Sequence, residues 1–393
     1  MKLDEYGRLY LRLTLEIEKH VTGYVDAYYG PADLKAEVEA GDKKPPAALL
    51  DDVAALRGVL PTDASRRAYA QASLRAMDCT VRMIDGEKFD YLDEVNRLYD
   101  IAPVAVDEAE FTVAHKVLDG MLDGAGSLSA RIQARRQRFD LRPEQLPALL
   151  DLARKETRKR TAVYLKNHVS HQLPADESVD VQLTNGQPWS AYNYYLGGGK
   201  SLIEFNTDVP VSALSLLPLF AHEGYPGHHT ESSLKEIALY REKGYGEQAA
   251  MLLHEPAAVI MEGIAVTAVE IIFPDDTQYD WIADVLLPAA GIGGLETAVS
   301  LQKISKAAAK LRYVSGNAAI KYHTGELTRE QTIDYIQTYA LATPERAAKS
   351  FSFLSHPLYR SYIFTYTQGY DLMKASNVEN GRLLTEQILP SQL

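Results

Sequence analysis

Two segments of this chain are apolar on nearly every face, yet each carries carboxylates, and this combination limits what the chain can become. Leu214-Ser-Leu-Leu-Pro-Leu-Phe-Ala221 runs directly into His222-Glu223. Ala257 to Phe273 is apolar except for Glu262, Thr267 and Glu270. A helix without a polar face is a buried helix. A carboxylate in the core is costly unless it meets a cation, a metal or several donors. Both segments therefore predict core helices whose acids face a shared partner.

The first segment names that partner. Residues 222–229 read His-Glu-Gly-Tyr-Pro-Gly-His-His. Two imidazoles and an adjacent carboxylate are what a zinc hydrolase needs to hold its ion and deprotonate water. The familiar helical form of this motif spaces its histidines at i and i+4. Here His228 is at i+6 and His229 at i+7. On an unbroken helix His229 would share the face of His222 but sit about 10 Å further along. Pro226 cannot continue the helix, because its ring meets the carbonyl of His222. Gly224 and Gly227 permit the unusual dihedrals of a sharp turn. The pattern predicts a distorted turn that brings His228 back to His222, with His229 as the alternative. Glu262 supplies a third ligand and water the fourth position. Glu223 is the general base, and Glu270 is expected to hold a ligand histidine from behind. His254-Glu255 reads as a helix start before Pro256.

These residues resemble a bacterial domain-of-unknown-function family with the signature His-Glu-x-x-Pro-Gly-His-His, followed by Glu-Gly-x-Ala on the next helix. Here the matching residues are His222 to His229 and Glu262-Gly263-Ile264-Ala265, with Glu270 also in place. The family's later Tyr-x-x-Gly corresponds to Tyr366-Thr-Gln-Gly369. The likeness spans about residues 200–375. It implies a mainly α, gluzincin-like metallopeptidase architecture, one Zn2+ ion, and a peptide or small amide as substrate. Tyr366 becomes the candidate oxyanion donor, with Tyr362 as its alternative. Arg312 and Arg360 are candidates for a substrate carboxylate. After Arg312 the family's Asp-x-Gly-x-His stretch is missing, since Tyr313-Val-Ser-Gly-Asn317 has no Asp. A metal-binding protein without turnover and a zinc hydrolase of a non-peptide amide or ester are the competing expectations.

Other features bound this reading. At 393 residues the chain can form cooperating lobes. We expect an N-terminal helical lobe over 1–171 and a metal-bearing lobe over 172–393. The net charge of −12 argues against nucleic acid and anionic membranes as partners. The single Cys79 rules out an internal disulfide and suits a reducing compartment. The first residues lack the apolar core of a signal peptide, so a cytoplasmic location is expected. The sequence does not specify an oligomeric state.

Helical periodicity is read over Leu9–Tyr29, Ser65–Ile84, Asp107–Leu122 and Pro143–Leu165. The basic patch Lys155, Arg158, Lys159 and Arg160 is expected on a solvated face. Within 172–208, Ser178–Leu183 and Ser201–Asn206 alternate as strands do, and Asn185-Gly186 reads as a hairpin turn. A small antiparallel sheet is thus expected beside the metal helix. Gly197-Gly-Gly-Lys-Ser201 is not a phosphate loop, because Tyr194 stands where that loop needs its first Gly.

Overall fold

The computed structural model describes residues 3–187, 189–208 and 210–393. It is mainly α, 63% helix and 8% strand. Helix α1 spans Glu5–Glu18, with Asp4 capping it by accepting the Gly7 N–H at 2.8 Å. The helix does not run on to Tyr29 as its periodicity suggested. The Glu18 carboxylate accepts the N–H groups of Gly23 at 2.9 Å and Val25 at 2.8 Å. Gly23 turns the chain at φ +86°, a left-handed conformation that suits glycine. Beyond this turn the chain extends as strand β1, Val25–Tyr28.

Helices α2 (Ala32–Ala40), α3 (Pro46–Gly58), α4 (Ala64–Ile84), α5 (Tyr91–Tyr99), α6 (Glu108–Met121), α7 (Leu128–Gln137) and α8 (Leu146–His168) complete the N-terminal part. The periodic segments expected at 65–84, 107–122 and 143–165 correspond to α4, α6 and α8. Cys79 is buried in the core beside Val95 and Leu98. The basic patch on α8 is mostly solvated, as expected, but Arg158 reaches in to Glu177 at 2.6 Å.

Strands β2 (Ser178–Thr184), β3 (Ala191–Gly197) and β4 (Lys200–Asn206) form one sheet in the order β2-β4-β3. The antiparallel expectation is half right. β3 runs antiparallel to β4, but β2 runs parallel to it. The hairpin turn is Gly197–Gly199, all three at positive φ, and not Asn185-Gly186. Instead, the Gly186 N–H donates to Asp208 at 2.8 Å.

Helix α9 (Ala213–Glu223) is next, then α10 (His228–Lys235) and strand β5 (Ala250–Leu252). β5 pairs antiparallel with β1, with an irregularity between Val25 and Ala27. The apolar segment 257–273 forms α11 (Ala257–Ile272). The remaining helices are α12 (Gln278–Trp281), α13 (Leu287–Ala289), α14 (Ala298–Ala308), α15 (Val314–His323), α16 (Arg329–Ala340), α17 (Pro344–Ser355), α18 (Ile363–Ala375) and α19 (Asn380–Leu383).

Three apolar clusters frame the site. One joins α8, the sheet and α9 through Leu149, Ile203, Phe205, Leu217 and Phe220. A second joins α1, α3 and α4 to Ala249–Leu252. A third joins α4 and α5 to the start of α11 and to α15–α18. Residues on either side of position 171 thus share cores. No single helix among the described residues is long and apolar enough to cross a membrane.

Helices α11 and α18 touch through two glycines. A Cβ on Gly369 would lie 2.7 Å from the Val259 carbonyl oxygen and 2.9 Å from the Gly263 nitrogen. A Cβ on Gly263 would lie 2.8 Å from the Gly369 carbonyl oxygen. The glycines of Glu-Gly-x-Ala and Tyr-x-x-Gly are therefore the crossing point. It brings Glu262 on one helix and Tyr362 and Tyr366 beside the other to the same place.

Candidate metal centre

Helix α9 stops at Glu223, and the Gly224 N–H closes it on the Phe220 carbonyl at 2.8 Å. The chain then doubles back. The Gly227 N–H donates to the Ala221 carbonyl at 3.0 Å. A Cβ at Gly227 would stand 1.9 Å from the His222 carbonyl oxygen, so this turn admits only glycine. As a result the His222 and His228 rings meet edge to face, with centroids 4.7 Å apart. Glu262 completes the group from α11. Its Oε2 is 3.4 Å from His222 Nε2, and its Oε1 is 3.8 Å from His228 Nε2.

The three candidate ligand atoms lie within 4.8 Å of one another. Zinc bonds of about 2.0–2.2 Å in a tetrahedron separate ligand atoms by about 3.3–3.6 Å, so the spacing fits one ion. Two buried atoms in the group are also unsatisfied: Glu262 Oε2 and His228 Nδ1 accept or donate no hydrogen bond. Buried polar atoms are seldom left so. The other carboxylate oxygen of Glu262 accepts the Tyr362 hydroxyl at 2.8 Å. The side chains of His222 and His228 keep 17% and 14% of their exposure, so the cluster opens toward solvent.

The electrostatics are those of closely coupled groups. Burial opposes charge on His222, but Glu223 and Glu262 outweigh it and raise its pKa to about 9. Burial lowers His228 to about 4 against the pull of Glu262. Burial raises Glu223 to about 7 even though His222 favours its charge. Glu262 is buried too, yet the two histidines and Tyr362 hold its pKa below the usual value.

The other expected residues divide. Tyr366 stacks over His222 at 6.4 Å and belongs to the site. Burial, Glu262 and Glu223 push its phenol well above the ordinary range, so it stays a donor. Tyr362 is also present, but as the partner of Glu262. Glu270 does not support a ligand histidine; it pairs with Lys374 at 3.0 Å near the surface. Arg360 is bound to the buried Glu94, with Nε at 2.9 Å from Oε1. Arg312 lies 3.8 Å over the Tyr370 ring. Arg360 is thus committed to a carboxylate already, whereas Arg312 is exposed and its remaining N–H groups have no carboxylate partner among the described residues. His254 is tied to Thr80 and the Leu358 carbonyl, away from the cluster.

His229 points the other way. Its Nε2 donates to Glu177 at 3.1 Å, and Ser201 donates to its Nδ1 at 2.8 Å. The carboxylate can only accept, which fixes this tautomer. Ser201, His229 and Glu177 thus have the order of a hydrolase triad, but His229 is wholly buried and Ser201 is 2% exposed. No substrate reaches them.

Two residues at the centre were not expected. The Asn193 side chain on β3 donates to the Glu223 carbonyl at 2.5 Å, fixing the end of α9. Asp26 on β1 accepts the Tyr192 hydroxyl. Burial, with Glu262 and Glu223 nearby, raises the Asp26 pKa to about 7. The only signal for β1 was Gly23 followed by Tyr-Val-Asp-Ala-Tyr-Tyr, a composition that favours strand over helix.

No family model matches the chain, and no curated protein matches it. Among solved structures it is similar to the crystal structure of a "putative lipoprotein" from Colwellia psychrerythraea, with a TM-score of 0.50 and 15% identity. The match covers 91% of this chain and 61% of that one. At that identity the likeness is one of fold alone.

Proposed function

We propose that this protein is a zinc-dependent hydrolase of peptide bonds, of the gluzincin-like kind that its signature resembles. The observation that carries the reading is the convergence of His222, His228 and the buried Glu262, whose Oε2 lies 3.4 Å from His222 without a formed hydrogen bond, with Glu223 beside them. His222, His228 and Glu262 would hold the ion. When bound, zinc supplies Lewis acidity that polarises a carbonyl and makes water a nucleophile near neutral pH.

The chain's own residues do the rest. Glu223 takes a proton from the attacking water as the oxygen bonds to the carbonyl carbon. It returns that proton to the amine as the carbon–nitrogen bond breaks. Tyr366 donates to the developing oxyanion. Tyr362 keeps Glu262 oriented, as groups behind a metal ligand do.

The test is metal content and peptide hydrolysis on one set of samples: wild type, His222→Ala and Glu223→Gln. Stoichiometric zinc is expected in wild type and Glu223→Gln and is lost in His222→Ala. Hydrolysis is expected in wild type only, with Glu223→Gln down about 100- to 10,000-fold. Zinc without turnover of any peptide would leave a binding protein or a hydrolase of another amide or ester. Wild type indifferent to zinc would end the reading.

A further inference from the structure

Asp26 sits where β1 and β5 fall out of register, between the paired residues Val25 and Ala27. Such a bulge re-aims the extra residue's side chain, and bulges recur beside active sites. Here it places a carboxylate in the field of Glu223 and Glu262. Asp26 is not one of the metal ligands, because the group within 4.8 Å is His222, His228 and Glu262. Both charges that act on it are negative, and among the described residues no lysine or arginine forms an ion pair with it.

Its surroundings are aromatic. The Tyr192 hydroxyl donates to Asp26. The Tyr192 ring lies 4.8 Å from Tyr194 and stacks on Trp189 at 5.5 Å. Tyr194, Tyr359, Tyr362 and Tyr366 all feel the Asp26 charge. A carboxylate among aromatic faces is a setting for a cation. Arg360, which could have received a substrate carboxylate, is engaged with Glu94.

We propose that Asp26 anchors the free ammonium group of the substrate, so that the cleft takes peptides and amides by their amino end. This rests on the hydrolase reading for its purpose but not for its test. Asp26 touches the substrate and sets specificity; it takes no part in the bond-breaking step.

The experiment is equilibrium binding of L-leucinamide and N-acetyl-L-leucinamide to Glu223→Gln protein, with and without added zinc, where turnover is suppressed. The free amine is expected to bind about tenfold tighter or more, the scale of a charged hydrogen bond. Adding Asp26→Asn should abolish that preference, leave the N-acetyl compound unchanged and leave zinc content unchanged. Should Asp26→Asn fail to fold, Tyr192→Phe keeps the carboxylate but frees it, and should reduce the preference without removing it. Equal binding of the two amides, no binding of either, or a preference that survives Asp26→Asn overturns the proposal. Hydrolysis by wild type is scored separately. An active enzyme indifferent to the amino group would sink the Asp26 assignment alone. An inactive protein that still prefers the amine would sink the hydrolase reading alone.

Discussion

His228 and His229 are neighbours in the first turn of α10, yet they belong to opposite kinds of chemistry. Around His229 every polar atom is matched. Ser201 and Glu177 take its two nitrogens, and Tyr225 and Arg158 each reach Glu177 at 2.6 Å. Nothing in that network is left over, and its histidine is closed to solvent. Around His228 the matching is incomplete. Its Nδ1 is buried without a partner, Glu262 Oε2 has no formed hydrogen bond although it lies 3.4 Å from His222, and the group opens on one side. A complete polar network rigidifies a core. An incomplete one that faces solvent leaves room for a ligand or water. The turn that aims His228 at His222 is closed by the backbone, through the Gly227 N–H on the Ala221 carbonyl, and does not depend on the His229 side chain.

The sharpest way to break this contrast is to remove each histidine in turn. His228→Ala should abolish stoichiometric zinc and lower peptide hydrolysis about 1000-fold or more, the scale seen when one member of a catalytic unit is removed. His229→Ala should keep zinc but lose about 2–4 kcal/mol of stability in urea, because Glu177 and Ser201 are orphaned and a cavity is left. Metal analysis and denaturation of both variants decide the matter. Zinc retained in His228→Ala and lost in His229→Ala would reverse the assignment.

The convergence of His222, His228 and Glu262 was legible for a physical reason. Polar residues in apolar helices announce themselves, and two glycines around Pro226 announce a turn. His228 over His229 followed from that turn, since an unbroken helix would have favoured His229's face. Glu270 misled because it shares α11 with Glu262; eight residues on, it has left the buried face for Lys374. Arg312 and Arg360 could not be judged from sequence, since their partners Tyr370 and Glu94 are fixed only by packing. Asp26 was illegible for a similar reason. It stands in a bulge created by pairing with a strand more than 220 residues away, inside a segment whose periodicity reads as helix. The parallel pairing of β2 with β4 is equally non-local, whereas the alternation of each strand is local and was visible.

A smaller perturbation sharpens the contrast from the side of α11. Gly369→Ala puts a methyl 2.7 Å from a backbone oxygen on the facing helix, which cannot move alone. Overpacking of this kind costs about 1–3 kcal/mol. Because Glu262 precedes Gly263 at the crossing, α11 should shift with it. Zinc affinity should fall by about 10- to 100-fold, the loss usual when a ligand's support is disturbed. The His229 network does not touch this crossing. The double variant Gly369→Ala, His229→Ala should therefore be additive in stability, as separate sites are. Zinc affinity unchanged in Gly369→Ala would show that the crossing does not position Glu262.

The last effect concerns acid and leaves the cluster of His222, His228 and Glu262 untouched. Burial alone would raise Glu177, but hydrogen bonds from His229, Tyr225 and Arg158 outweigh it and bring its pKa to about 2, from an ordinary 4.5. A carboxyl depressed in the folded state stabilises above its unfolded pKa, and this stability fades as pH falls from 4.5 toward 2. His229 acts in the same direction. Burial lowers its pKa beneath 6.5, so the unfolded chain gains the proton first as the solution becomes acidic. Glu177→Gln removes the first of these contributions. In metal-free protein it should be about 2–3 kcal/mol less stable than wild type at pH 7. That gap should shrink to less than half by pH 3. Groups of the ligand cluster titrate in both proteins, so they cancel in the difference. A gap equal at pH 7 and pH 3 would mean that Glu177 is not held as a charged acceptor. The His229 network would then be as unfinished as the one around His228, and the distinction between the two histidines would fail.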